Sequence, residues 1–224
     1  MYVSCVSTDR ELAGVPADVI VFPERVSLWK MEAAQRCRPH SFIAGAVVDD
    51  SYCRGVLFHR GENQIDYLKV GQDTITDGSR NLDQNPVFES GNVCIGMIIC
   101  RDIQNVIFTQ AVTDKIKKSQ AKLKFLCVPA AMDSSWFNSE SLMGLEKYEG
   151  MHVIVCNHTS AHEDRCKSFV TDTHGRKVCV QNDKEPLHVE LGCSVTNATV
   201  WSPGQIPCAT VLHSSFVKGS VGIT

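Results

Sequence analysis

Glu24, Lys69 and Cys100 are the residues of this sequence whose types and settings could do chemistry together. Each stands at the end of a strand-like apolar segment: DVIVFPE closes on Glu24, QIDYLKV presents Lys69, and NVCIGMIIC runs into Cys100-Arg101-Asp102. A thiol attacks a carbonyl or nitrile carbon well only as thiolate, so it needs a neighbour that takes its proton. A carboxylate in a water-poor cleft can do this. The tetrahedral species that forms carries negative charge, which a lysine ammonium or the backbone N–H after the nucleophile can stabilise. A Glu, a Lys and a Cys therefore suffice for acyl transfer without histidine. Spacing alone does not make them a site, because scattered residues of these types occur in nearly every protein.

The elements that must position them follow from periodicity and punctuation. Asp18 to Phe22 reads as a short buried strand that Pro23 stops, leaving Glu24 just outside it. Leu28, Met31, Ala34 and Cys37 recur at helical spacing, which predicts a helix within Arg25–Arg38, ended by Pro39. SFIAGAVVDD is a strand, and RGVLFHR and QIDYLKV form a hairpin about Gly61-Glu62-Asn63. Residues 71–89, rich in Asp, Gly, Asn and Ser, read as a long irregular loop. NVCIGMIIC is apolar throughout, as a strand buried on both faces should be.

A helix is expected from about Gln104 to Ser119, with Ile107, Ala111 and Val112 on its apolar face. Lys115, Lys117 and Lys118 in its last turn complement the helix dipole, so they read as a solvated helix end rather than a binding patch. LKFLCVPAA and HVIVCN are further buried strands, and Ser141–Glu149 a short helix closed by Gly150. SFVTDTHGRKVCV reads as a hairpin turning at His174-Gly175. Met1–Val15 shows little periodicity, and beyond Gln181 only short strands are legible. Alternating strands and helices with hairpins mixed in argue for an α/β fold with two sheets or one mixed sheet.

Composition bounds the function. The chain has 224 residues, room for one substantial core, and a formal charge of -3 that gives no electrostatic reason to expect nucleic acid or an anionic membrane as partner. No apolar run approaches a membrane span, and the N-terminus lacks the pattern of a signal sequence. The 11 cysteines include no C-x-x-C, and Cys94, Cys127 and Cys156 lie within apolar runs. They read as small hydrophobes in a reducing, cytoplasmic setting rather than a disulfide framework. Without a signal sequence, the glycosylation-type patterns at Asn157 and Asn197 read as chance matches.

DVIVFPE, a lysine soon after a hairpin, GMIICRDI, FLCVPAA and HVIVCNHTS occur in the order and approximate spacing of the nitrilase, or carbon–nitrogen hydrolase, superfamily. The chain resembles that family over about residues 17–180. The resemblance implies a single carbon–nitrogen hydrolase domain over residues 1–224 with truncated or divergent termini. It implies an αββα sandwich, two mixed β-sheets flanked by helices, that assembles into homodimers or larger homo-oligomers. It also implies a triad: Glu24 as general base, Lys69 as the cation beside the tetrahedral intermediate, Cys100 as nucleophile. Arg101 would bind substrate through its backbone N–H, completing the oxyanion hole, and Asp102 would be structural. The implied reaction is cleavage of a small amide, rather than a nitrile, with no metal or organic cofactor.

Departures from the family pattern are specific. Val70-Gly71 replace the His-Leu that often follows the lysine. Asp77 stands where many members carry a second glutamate. The segment before Glu24 is about a turn and a strand short, so a truncated or replaced first strand or helix is expected. A catalytically silent binding or assembly module is the alternative these departures leave open. A second constellation, His158, His162 and Cys166 with His152 and Cys156 nearby, has the spacing of four that zinc ligands on a helix require. Its turn-forming surroundings favour loop histidines instead. Trp136 and Phe137 could line a pocket or simply pack.

Overall fold

A computed structural model of the chain describes residues 1–6, 12, 14–49, 52–70, 84–131, 148–157, 168–180, 186–191 and 198–201. In chain order the strands are β1 (Tyr2–Cys5), β2 (Val19–Val26), β3 (Phe42–Asp49), β4 (Tyr52–His59), β5 (Glu62–Leu68), β6 (Val87–Ser90) and β7 (Val93–Met97). β8 (Leu123–Ala130), β9 (His152–Asn157), β10 (Phe169–Thr171), β11 (Lys177–Val180), β12 (Leu187–Leu191) and β13 (Ala198–Trp201) follow. One mixed sheet runs β13-β12-β1-β2-β3-β4-β5 and the other β11-β10-β9-β8-β7-β6. Pairing is parallel at β1/β2, β2/β3, β7/β8 and β8/β9, and antiparallel elsewhere.

The sheets stack face to face. One cluster joins Val21, Ala44, Leu57 and Ile65 of the first sheet to Ile95, Leu126, Val128 and Val153 of the second. Each buried Val, Leu or Ile among them stabilises the fold by about 1.5–3 kcal/mol relative to exposure. Helix α1 (Leu28–Cys37) covers the outer face of the first sheet through Met31 and Ala34. Helix α2 (Val106–Lys118) covers the second through Phe108, Val112 and Ile116. The layers are therefore helix, sheet, sheet, helix, the expected αββα sandwich.

Several local expectations are corrected. β2 does not stop at Pro23: it continues through Glu24 to Val26, with its register against β3 shifting on either side of Glu24. Pro23 has no N–H for the ladder, and a bulge absorbs that loss without ending the strand. The β4–β5 turn is Arg60-Gly61, both with positive φ, rather than Gly61–Asn63. Residues 87–90 form β6, not loop; it is a short edge strand with no alternation to betray it. On α2 the buried face is Phe108, Thr109, Val112, Thr113 and Ile116, whereas Ile107 is 70% exposed and Ala111 points outward. On α1, Cys37 is exposed and Gln35 buried. A first strand is present as β1, paired with β2 and β12. Lys115, Lys117 and Lys118 are exposed at the end of α2, as expected.

Candidate active site

Glu24 owes its position to the bulge in β2. Arg25 takes φ 69°, left-handed for a non-glycine residue, and the register shift re-aims the side chains around it. The Glu24 side chain is nearly buried, beside the start of β4 and the end of β5. Lys69 is the first residue past β5, and its N–H still donates to the Cys53 carbonyl at 2.9 Å, extending the ladder by one bond. That register brings the Lys69 Nζ to 2.6 Å from Glu24 Oε1. The ion pair is mostly shielded, with side chains 10% and 9% exposed.

Cys100 lies where the apolar β7 segment ends. Ile98 and Ile99 remain fully buried beyond the strand, and the Ile98 N–H donates to the Cys127 carbonyl at 3.0 Å. The chain then turns through a single 3-10 turn, Cys100–Gln104, before α2. Asn105 caps that helix, its side-chain oxygen accepting from the Phe108 N–H at 3.1 Å. Cys100 itself has φ 46°. Left-handed backbone at a residue with a Cβ costs about 1–3 kcal/mol and persists only where its surroundings hold it. Here Ile98 is tied to β8 on one side, and Asp102 N–H to the Ile99 carbonyl (2.9 Å) on the other.

Asp102 joins the two halves of the site. It is completely buried, and its Oδ2 accepts the Val70 N–H at 3.0 Å, fastening the residue after Lys69 to the turn that carries Cys100. Its carbonyl accepts from the Asn105 N–H at 2.9 Å and the Thr109 hydroxyl at 3.2 Å. Beneath it, Tyr67 packs on Phe108 with ring centroids 5.7 Å apart, and Gly55 leaves the room its ring occupies.

The charges reveal how closely the three side chains sit. Burial and then the negative charge of Glu24 push the Cys100 thiol up to about 11, opposed by an Ala131 N–H directed at the sulfur and by the Lys69 ammonium. Burial works against the Lys69 charge, but its bond to Glu24 and the carboxylate's charge outweigh this and hold the ammonium above its ordinary value. At neutral pH Cys100 is therefore held as thiol and Lys69 as ammonium, both largely shielded from solvent. With Glu24, such a set can pass a proton from sulfur to carboxylate while the ammonium faces developing negative charge.

Of the three residues singled out from sequence, Glu24 and Lys69 are in direct contact, and the Cys100 thiol feels the charge of both. Arg101 follows Cys100 with its side chain exposed. Two contributors were not foreseen. Cys53, whose Sγ lies 3.6 Å from Glu24 Oε1, sits in a stretch with no motif to mark it. Ala131 acts through its backbone, which carries no sequence signal beyond the end of the VPAA strand. Asp77, Trp136, Phe137, His158, His162 and Cys166 lie outside the described residues, as does most of the expected helix 141–149. His152 and Cys156 lie in β9, where His152 Nδ1 meets the Thr171 carbonyl at 2.8 Å. Among the described residues no group of three or more His, Cys, Asp or Glu could hold a metal ion, no disulfide forms, and no helix is long and apolar enough to cross a membrane.

No protein-family model and no curated protein sequence matches the chain. Solved structures do match in fold. A mutant of the amidase from Nesterenkonia sp. AN1, showing Michael addition of acrylamide at the active-site cysteine, aligns with a TM-score of 0.65 at 12% identity, over 85% of this chain and 92% of that one. Another mutant of that amidase, carrying the acetamide moiety of fluoroacetamide on the active-site cysteine, aligns with a TM-score of 0.58 at 13% identity, over 84% and 87%. Saccharomyces cerevisiae Nit3, a member of branch 10 of the nitrilase superfamily, aligns with a TM-score of 0.64 at 14% identity, over 87% and 91%.

Proposed function

Starting from the nitrilase-superfamily fold that this chain has, we propose that it is a thiol hydrolase cleaving the C–N bond of a small amide. The observation that carries the reading is the Glu24–Lys69 pair at 2.6 Å beside a buried Cys100 held at φ 46°. In this reading Cys100 attacks the amide carbon as Glu24 takes its proton. Lys69, with the backbone N–H of Arg101, stabilises the oxyanion. Glu24 returns its proton to the departing ammonia or amine, leaving a thioester. Glu24 then activates water to release the acid and free the thiol.

Fluoroacetamide and acrylamide are the natural first probes, because the similar amidase structures carry adducts of both. The test is ammonia release from these amides and from the corresponding nitriles, by wild type and Cys100→Ala. The reading requires turnover of at least one amide that Cys100→Ala abolishes, with nitriles slower. Ammonia release that survives Cys100→Ala would overturn the thiol mechanism, and none from wild type would leave a silent module as the better description. The resemblance also supports a homodimer or larger homo-oligomer, which light scattering of the purified chain decides.

A further inference from the structure

Glu24 must do two things with one carboxylate: hold the lysine and face the thiol. A carboxylate is roughly two-fold about its last torsion, so one fixed oxygen requires donors that distinguish the two. Two side-chain donors reach the same atom of Glu24, Oε1: Lys69 Nζ at 2.6 Å and Cys53 Sγ at 3.6 Å; the Cys100 thiol also hydrogen-bonds the carboxylate. Cys53 touches the lysine as well, since its carbonyl accepts the Lys69 N–H at 2.9 Å. One residue thus contacts both partners of the ion pair, through its thiol and its backbone.

We propose that Cys53 is a positioning residue for the reaction: its thiol, with Lys69, pins Oε1 of Glu24 and leaves Oε2 to face Cys100. This rests on the hydrolase reading above. The thiol is suited to the task. Burial, then the charge of Glu24, push it up to about 12, so it stays a donor across the neutral range. A thiol is a weak donor, and it orients the carboxylate while drawing off little of its basicity. Cys53 is 1% exposed, so it acts from behind Glu24 rather than on substrate.

The consequence is a loss in kcat without a change in KM. The experiment measures kcat and KM for fluoroacetamide hydrolysis in wild type, Cys100→Ala and three variants at position 53. Cys53→Ala removes the donor and is expected to lower kcat about fivefold, the size of one modest hydrogen bond. Cys53→Val fills the space without a donor and should show the same loss. Cys53→Ser restores a donor and should return kcat to within about twofold of wild type.

Rescue by valine and not serine would show that the site needs only volume, and would overturn the proposal. So would equal kcat in wild type and Cys53→Ala, or a change confined to KM. If wild type is active and Cys100→Ala is not, these outcomes sink the role of Cys53 alone. If Cys100→Ala remains active, the hydrolase reading and this inference fall together.

Discussion

Replacing Glu24 by glutamine sets two physical effects against each other. The carboxylate's charge is one of the causes that push the Cys100 thiol up to about 11. At about 1.4 kcal/mol per pH unit, unaided ionisation of such a thiol at pH 7 costs about 5 kcal/mol, leaving about one molecule in ten thousand as thiolate. If Glu24 acted only as a charge, Glu24→Gln would relieve this, populate the thiolate and raise the rate. If Glu24 takes the proton during attack, that ionisation never has to precede the reaction, and its loss removes a general base. Such losses run to about 10²–10⁴-fold. The assay is ammonia release from fluoroacetamide between pH 6 and 9. Wild type should be nearly flat through the neutral range. Glu24→Gln should be at least about a hundredfold slower at pH 7, with residual activity rising about tenfold per pH unit as thiolate accumulates. A variant as fast as wild type, or faster, at pH 7 would refute the assignment of Glu24 as base.

Other predictions concern the parts that hold the site. Asp102→Ala removes the acceptor of the Val70 N–H in a fully buried setting and should cost about 2 kcal/mol of stability; denaturant melts check this, and Asp102→Asn should recover much of it. Gly55→Ala places a Cβ against the rigid, buried Tyr67 ring, and should lower stability by about 1–3 kcal/mol and slow amide turnover through the residues packed on that ring. At the β10–β11 hairpin, burial acts to raise the Asp172 carboxyl. The N–H groups of Arg176 and His174 and the Arg176 guanidinium outweigh it and hold the group below its ordinary value of 3.8. Its contribution is therefore fully present above that value and lost as pH falls through the lower folded one. Thermal melts of wild type and Asp172→Asn should differ at pH 7 and converge as pH falls through the lowered folded value.

The contact of Glu24 with Lys69 was foreshadowed because each sits at the end of a strand-like run, as Cys100 does. DVIVFPE and NVCIGMIIC declare buried strands by composition alone, and QIDYLKV an alternating, half-exposed one. The bulge at Glu24 was not legible, because proline reads as a strand end unless the parallel neighbour β3 is known to pair on past it. β1 and β6 are only four residues each, too short for any period to register. On α2 the apolar count favoured Ile107, yet the Asn105 cap and the turn from Cys100 rotate the helix so that Phe108 faces the core. Cys53 was invisible for a different reason. Its partner lies 29 positions away, and only the pairing of β3 with β4 brings them together.

Intact-mass spectrometry of the chain after brief exposure to fluoroacetamide, with peptide mapping of any adduct, tests the nucleophile itself. One acetamide moiety per chain, joined to the Cys100 sulfur as fluoride leaves and absent from Cys100→Ala, is the expected result. Label that persists in Cys100→Ala, or that is scattered over Cys37, Cys53 and other thiols without preference for Cys100, would contradict it.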